Sequence, residues 1–326
     1  MWHEPIHRIA LLELLQIGKL KKRAGQAAAW QELLTLGWAR RAGRQDELEV
    51  VPSYKPVLEQ TLDHCWSDWR DHQGELLHQG LPPTEHGLRA LESRRRAKRA
   101  KGFPQRLNHR TAAAALAAHS KARLGETERA LLGTSELTTD YLIRLRGCCG
   151  LMLHRDRGAY DAAALERLQG ELILSERALL DGTVLSGSPR AILLVENVGV
   201  FVDLHPPPGW LLAHVPGWNT QGARRLVTML PDPPVLHFGD LDPEGMEIFF
   251  HLREHQPSLR WVVLDWFTDY LPTHGQAIDW PKTASLAQAP ALIRELARQS
   301  RWLEQETLVL DDRLWPSLWK MAEPPI

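Results

Sequence analysis

The sequence predicts an α/β domain at the C-terminus, a parallel sheet flanked by helices, preceded by mostly helical domains. Four short apolar runs, at residues 191–195, 211–215, 235–238 and 261–264, have the length and composition of buried parallel strands. Helical stretches at residues 222–229, 245–255 and 285–300 alternate with them, and such alternation indicates a parallel sheet. Because 326 residues exceed one typical domain, we place domain bounds at 1–75, 76–185 and 186–326.

The first domain is predicted to be winged-helix-like. Residues 7–69 follow the order helix, helix, hairpin, helix, with two short alternating strands around a turn near Gly43. The hairpin, or wing, carries Arg40, Arg41 and Arg44, which are candidates for contact with DNA. A small module that docks other proteins would show the same pattern, so that alternative stays open.

The middle region is predicted to be basic and mostly helical, with a second winged-helix-like part, after a turn-rich linker at residues 74–83. Its first helix, at residues 84–101, ends in six basic residues without an acid. These candidates for binding a phosphate backbone are Arg94, Arg95, Arg96, Lys98, Arg99 and Lys101. A solvated helix face is the alternative for such a run. Another helix is predicted at residues 162–180.

Charge divides the chain. Residues 1–150 carry a net charge of +7 and residues 151–326 carry −8, so affinity for polyanions is expected in the first half. No apolar run reaches the roughly 18 residues of a membrane span, and the N-terminus lacks a signal-peptide pattern. We therefore expect a cytoplasmic protein without a membrane partner. Its three cysteines provide neither a disulfide framework nor a CxxC pair.

Two predicted strands end at acidic residues. Glu196 follows the first apolar run, and Asp240 and Asp242 follow the third. Because ligands bind at the carboxyl ends of parallel strands, we expect these three acids to converge. Clustered carboxylates are unfavourable unless a hard cation neutralises them, so the sequence predicts a site for Mg²⁺ or Mn²⁺. Asp242 followed by Pro243 is also a favoured helix start, so a capping role is the alternative for this residue.

This order of acids resembles a known domain. Glu at one strand end, then Asp-x-Asp at the next with Gly three residues on, resembles the Toprim domain of topoisomerases, primases and several nucleases. The segment GDLDPEGMEI, residues 239–248, is similar to type VI topoisomerase A subunits and to the JetD/MksG nuclease subunits of Wadjet/MksBEFG plasmid-defence systems. The segment WLEQE, residues 302–306, resembles the EQE signature of the JetD/MksG branch. The resemblance implies that Glu304 and Glu306 complete the site, Glu306 being the better candidate ligand.

The resemblance also implies a function. The chain would be a metal-dependent DNA endonuclease that cleaves plasmid or other foreign DNA as part of an SMC-type bacterial defence complex. Its implied partners are double-stranded DNA, an SMC-like ATPase, a kleisin and a KITE-type subunit. Asp240 and Asp242 would bind the metal ion, and Glu196 would complete its shell or act through water as a general base. Because linearising a plasmid requires two cuts, we expect a homodimer.

Two competing functions share these features. A type VI topoisomerase or Spo11-like transesterase would use the same acids but needs a nucleophilic tyrosine. The four tyrosines of the chain do not stand in that family's Arg-Glu-x-x-Tyr context. A non-catalytic DNA-binding subunit is the second alternative, although such a protein has no reason to keep costly acids together.

Overall fold

The computed structural model describes residues 1–43, 46–99, 102–156 and 158–323, without the side chain of Arg99. The chain divides into two compact units, Met1–Thr139 and Asp140–Ile326. The predicted architecture is confirmed at the level of a mixed α/β protein with many helices and a partly parallel sheet. Within the described residues, no helix combines the length and the apolar character needed to cross a membrane.

The elements of the first unit are seven α-helices, five strands and two 3₁₀ turns within its described residues. The helices are α1 Pro5–Ile17, α2 Ala27–Thr35, α3 Lys55–Cys65, α4 Trp69–His78, α5 Glu85–Arg99, α6 His109–Leu116 and α7 Glu126–Leu131. The strands are β1 Lys19–Lys21, β2 Ala39–Arg41, β3 Glu47–Val50, β4 Arg106–Asn108 and β5 Glu136–Thr138. The 3₁₀ turns are Ala24–Gln26 and Pro52–Tyr54.

The first half of this unit has the predicted order of helix, helix, hairpin and helix. Helix α1 buries an apolar face and ends at Gly18, whose positive φ of 80° reverses the chain into β1. Strand β1 was not predicted; it pairs antiparallel with β3, which pairs in turn with β2. The predicted linker at residues 74–83 is wrong in its first part, because α4 continues to His78 and packs Leu76 in the core. The winged-helix assignment stays a prediction.

The second unit contains the larger core. Its helices are α8 Ala162–Gln169, α9 Glu176–Leu180, α10 Val198–Asp203, α11 Gln221–Met229, α12 Pro243–Arg253, α13 Leu271–His274, α14 Ala284–Gln288, α15 Ala291–Arg298 and α16 Leu314–Ala322. Its strands are β6 Leu142–Arg146, β7 Met152–Arg155, β8 Gly158–Asp161, β9 Leu172–Ser175, β10 Val184–Ser186, β11 Ala191–Val195, β12 Trp210–His214, β13 Val235–Phe238, β14 Arg260–Trp261, β15 Gln276–Ala277 and β16 Arg301–Trp302. The 3₁₀ turns are Asp265–Tyr270 and Gln305–Thr307.

A six-stranded sheet organises this unit, in the order β14, β13, β11, β12, β6, β9. The first four strands are parallel, as predicted from the alternation of strands and helices. Strands β6 and β9 extend the sheet antiparallel at the other edge. Every residue of β11 and β13 is buried, which explains why both strands are continuous apolar runs in the sequence.

Two predicted helices are interrupted in the structure. One continuous helix was predicted at residues 162–180, and this prediction is wrong for the segment between α8 and α9. Gly170 ends α8 with a φ of 83°, and residues 172–175 then form strand β9, which pairs with β6. The helix expected at residues 285–300 is divided into α14 and α15, because Pro290 lacks the N–H that a continuous helix requires. The six-stranded sheet therefore includes strands from the predicted middle region, 76–185, and the three predicted domain bounds stay untested.

The parallel strands place three chain segments at one edge of the sheet. Strand β11 pairs in register with β12 on one side and with β13 on the other, so the residues after these three strands emerge together. The three segments begin at Glu196, Val215 and Gly239. Open α/β sheets bind their ligands at this carboxyl edge.

Candidate active site

Glu196 is one of the largely buried acids at this edge. It follows β11, and its backbone N–H donates a hydrogen bond to the Phe238 carbonyl at the end of β13 (3.1 Å). Its side chain is 15% exposed, and its Oε2 is buried without a hydrogen-bond partner among the described residues. The pKa of Glu196 is raised to about 8, mainly by burial and in addition by the charges of Asp240 and Asp242.

Two glycines of the GDLDPEG segment leave room for these acids. A Cβ at Gly239 would lie 2.5 Å from Glu196 Oε2, closer than any side chain tolerates. A Cβ at Gly245 would lie 2.3 Å from the Asp240 carbonyl oxygen. Glycine at both positions is therefore explained by close approach rather than by an unusual backbone conformation.

Asp240 and Asp242 each bind a backbone N–H. Asp240 Oδ1 accepts a hydrogen bond from the N–H of Gln305 at 2.7 Å, which lowers the pKa of Asp240. Burial, together with the charges of neighbouring acids, outweighs this effect and raises that pKa to about 6. Asp242 caps α12, because its Oδ1 accepts from the N–H of Gly245 at 2.6 Å. Burial also raises the pKa of Asp242. Asp242 therefore caps the helix, as the alternative interpretation predicted. The charge of the same carboxylate also raises the pKa of Glu196.

The EQE segment reaches the same edge from the far end of the unit. The Leu303 carbonyl accepts a hydrogen bond from the N–H of Leu241 at 3.0 Å, in an antiparallel bridge. The charges of Glu306 and Glu304 raise the pKa of Asp240, so both acids act on the strand-end carboxylates. Glu306 also lies beside the first turn of α10, where its Oε1 would be 4.0 Å from a Cβ at Gly199.

Gln305 is the residue that the sequence reasoning missed. Its side chain is fully buried: Oε1 accepts from the N–H of Asn197 at 3.0 Å, and Nε2 donates to the Phe238 carbonyl at 2.8 Å. Together with the backbone bond to Asp240, these contacts join all three acid-bearing segments. The EQE segment itself could have indicated this residue, because Gln305 stands between the two acids that were predicted to belong to the site.

His237 lies directly behind the site. It is fully buried, neither ring nitrogen has a hydrogen-bond partner among the described residues, and Nε2 is 4.0 Å from Glu196 Oε2. Burial lowers the pKa of His237 to about 4, so the ring is neutral near pH 7. A neutral ring at this place adds no positive charge to offset the acids.

The acids could hold a divalent cation. In the part of the chain that the structure describes, no three His, Cys, Asp or Glu side chains are already grouped so as to hold a metal ion. The buried, unpartnered oxygen of Glu196 and the raised pKa values nevertheless mark a place where negative charge needs a counter-charge. Carboxylate oxygens are the ligands that Mg²⁺ and Mn²⁺ prefer, so the donor set fits such an ion.

The predicted DNA-binding residues lie in the first unit, and most of those described have partners within it. Arg40 pairs with Glu49 at 3.3 Å, and Arg41 lies over the ring of Trp30. Lys98 is exposed. Arg44, Lys101 and the side chain of Arg99 lie outside the described residues.

Three arginines of the predicted basic run hold the helix against its neighbours. Arg94 donates to Gln79, Arg95 pairs with Glu75, and Arg96 donates to the Ala117 carbonyl. These contacts give the three side chains a structural role. Their role in binding phosphates stays a prediction.

The comparisons with known proteins point to one family. Residues 157–314 match the family model described as Wadjet protein JetD, C-terminal. The match spans all five predicted acids and supports the JetD part of the resemblance. No curated protein matches the chain.

We expect the side chain of Gln305 to stabilise the second unit. Gln305→Leu removes the partner of the Asn197 N–H and one of the two hydrogen bonds that the Phe238 carbonyl accepts, since the Glu196 N–H still donates to that carbonyl. Leaving the Asn197 N–H unsatisfied costs about 1–3 kcal/mol. Urea unfolding should show the loss. Gln299→Leu is the matched control, because Gln299 is exposed and its change should stay within about 0.5 kcal/mol. Equal urea midpoints for the two variants would contradict this account.

We expect Glu196 to make the metal-free protein less stable as the pH rises. The ordinary pKa of the group is 4.5 and its folded value is about 8, so between these values the unfolded chain releases the proton while the folded protein retains it. The free energy of unfolding therefore falls as the pH rises through this range, by about 1.4 kcal/mol per pH unit.

Glu196→Gln should remove this pH dependence. In EDTA, the stability of the variant relative to wild type should increase steadily from pH 4.5 to pH 8, as measured by urea unfolding. A difference between the two proteins that stays constant over this range would show that the carboxyl is not held protonated by the fold.

Proposed function

We propose that this chain is a metal-dependent DNA endonuclease with its active site at the carboxyl edge of strands β11 and β13. One observation carries the proposal: carboxylates from three distant segments are brought together and raise one another's pKa values. Glu196, Asp240 and Asp242 form the centre of the site, and Glu304 and Glu306 close it. Such a cluster opposes folding stability, so its presence is best explained by chemistry that uses it.

The similarity to JetD supports the biological role. We propose that the second unit is a Toprim domain and that the chain is the nuclease subunit of a Wadjet-like defence complex that cleaves plasmid or other foreign DNA. The partners in that complex would be an SMC-like ATPase, a kleisin and a KITE-type subunit. A homodimer would bring two sites to one duplex.

The chemistry follows from the residues at the edge. A bound Mg²⁺ or Mn²⁺ ion would supply positive charge for the developing phosphorane and lower the pKa of a bound water. Asp240, Asp242 and Glu306 would hold this ion. Glu196 would complete its ligand shell or, through water, accept the proton of the nucleophile. Gln305 would keep the acids in place by fixing the backbone on both sides of them.

The first unit would bind the DNA duplex. It contains most of the first 150 residues, whose net charge of +7 contrasts with the acidic remainder. The candidates for phosphate contacts are the predicted basic residues Arg40, Arg41, Arg44, Arg94, Arg95, Arg96, Lys98, Arg99 and Lys101. Phosphate contacts of this kind would be independent of base sequence and sensitive to salt.

We expect Asp242→Asn to abolish cleavage while preserving the helix cap. Asparagine caps helices about as well as aspartate, so the hydrogen bond to Gly245 is retained and only the charge is lost. Plasmid nicking with Mg²⁺ or Mn²⁺ should fall by more than the roughly 10–100-fold that changes outside the ligand shell cause. Agarose-gel assays with EDTA controls measure this.

Glu247→Gln is the matched control for Asp242→Asn. It removes the same charge from the same helix, and glutamine can keep the hydrogen bond to Ser285. Its cleavage rate should stay within about twofold of wild type, since surface changes of this kind cost little. Full cleavage by the Asp242→Asn protein would exclude the proposed site.

We expect hydrolysis rather than transesterification. Water as the nucleophile gives free DNA ends, so no protein should remain bound to DNA after denaturation in detergent. End-labelled DNA separated on a denaturing protein gel measures this. A labelled protein band that disappears when one tyrosine is changed to Phe would instead favour a topoisomerase-like strand breaker.

A further inference from the structure

A second cluster of side chains lies beside the acids at the same edge of the sheet. Strand β12 is parallel to β11 and adjacent to it, so the loop that follows β12 emerges next to Glu196. This loop carries Trp218, and α11 begins directly after it. The cluster consists of Trp218, Arg224 on α11, and His251 and His255 on α12.

Trp218 connects this cluster to the acid site. Its indole Nε1 donates a hydrogen bond to Glu244 Oε1 at 2.8 Å, and the charge of Glu244 raises the pKa of Asp242. The ring of Trp218 lies 6.0 Å from that of His251. Trp218 is nevertheless 54% exposed. Because the hydrogen bond fixes one edge of the ring, a rigid aromatic face is presented to solvent next to the site.

Arg224 supplies positive charge in this cluster. Its guanidinium donates to Thr220 Oγ1 (2.8 Å), to His255 Nε2 (2.8 Å) and to His251 Nε2. A hydroxyl and two imidazole nitrogens that accept hydrogen bonds carry no negative charge. Glu254 lies 3.6 Å from the other ring nitrogen of His251, on the side away from Arg224's hydrogen bond. The guanidinium is thus oriented by its neighbours without being neutralised by these partners.

The acid site needs such a contact if it acts on DNA. Residues 151–326 carry a net charge of −8, and the site adds a concentration of carboxylates where a phosphate must approach. An incoming strand is repelled there unless positive charge lies beside its path. Exposed aromatic rings next to basic side chains are the usual elements that hold single nucleic-acid strands.

We propose that Trp218 and Arg224 bind the DNA strand that enters the acid site. The Trp218 ring stacks on an unpaired base and the Arg224 guanidinium binds a backbone phosphate, while His251 and His255 orient the guanidinium. This inference rests on the proposed nuclease function. It adds a substrate preference: the site engages a strand whose bases are locally unpaired.

The test is DNA binding in EDTA, where cleavage does not occur. Fluorescence anisotropy with labelled single-stranded and duplex oligonucleotides of mixed sequence gives the affinity of the full chain. Arg224→Gln should weaken binding to both by on the order of tenfold, the effect of one charge-assisted contact. It should also flatten the log–log salt dependence on single strands by about 0.7.

The Trp218 variants separate stacking from the bond to Glu244. Trp218→Ala should weaken single-strand binding by on the order of tenfold and duplex binding less, because duplex bases are already stacked. Trp218→Phe keeps an aromatic face but loses the N–H, so it should retain most of the single-strand affinity. If Trp218→Phe and Trp218→Ala weaken single-strand binding equally, Trp218 serves only to hold Glu244 and the stacking proposal is wrong.

Arg298→Gln is the control for overall charge. Arg298 lies on α15 of the same unit and pairs with Glu295, so its change removes one positive charge from a residue that is not part of the cluster. The inference would be overturned if Arg298→Gln and Arg224→Gln lowered the DNA affinity equally, or if Arg224→Gln left it unchanged. Wild-type protein that binds DNA through Arg224 but never cleaves it would instead refute the proposed nuclease and leave this contact standing.

Discussion

The buried amide of Gln305 is the interaction on which the candidate site depends. The side-chain amide of Gln305 binds the backbone just after β11 and at the end of β13. The backbone N–H of the same residue donates to the Asp240 carboxylate. Parallel strands bring Glu196 and Asp240 to one edge, but they do not fix the segment that carries Glu304 and Glu306. A hydrogen-bonded amide does so without adding charge, which matters where several carboxylates already repel one another.

The same site shows why two glycines and a proline lie in the GDLDPEG segment. Gly239 lets the chain pass against the Glu196 carboxylate, and Gly245 lets α12 begin against the Asp240 carbonyl. Pro243 at the first helical position suits the start of the helix, so Asp242 can cap it. Asp242 therefore has a structural role in addition to the chemical role that we propose for it. Only a substitution that retains the cap distinguishes the two roles.

Periodicity in the sequence predicted the central strands well because they are buried on both faces. Runs such as 191–195 and 235–238 are uniformly apolar, and the acids that follow them mark the carboxyl edge. Strand β9 could not be found in this way, because it is an edge strand of four residues between two helices and its pairing with β6 is non-local. The role of Gln305 was hidden for the same reason: its partners lie 67 and 108 residues away in sequence.

Charge explains how the two parts of the site complement each other. A cluster of acids favours cations and repels phosphates, so an acidic unit can act on DNA only where a local feature reverses that repulsion. The loop after β12 is suited to this, because it shares the carboxyl edge with Glu196 and carries an exposed Trp218 close to Arg224. The topology that gathers the acids thus also places an aromatic ring and a cation beside them. One parallel sheet edge therefore carries both the acids that we propose as reactive groups and the surface that we propose to hold the DNA strand.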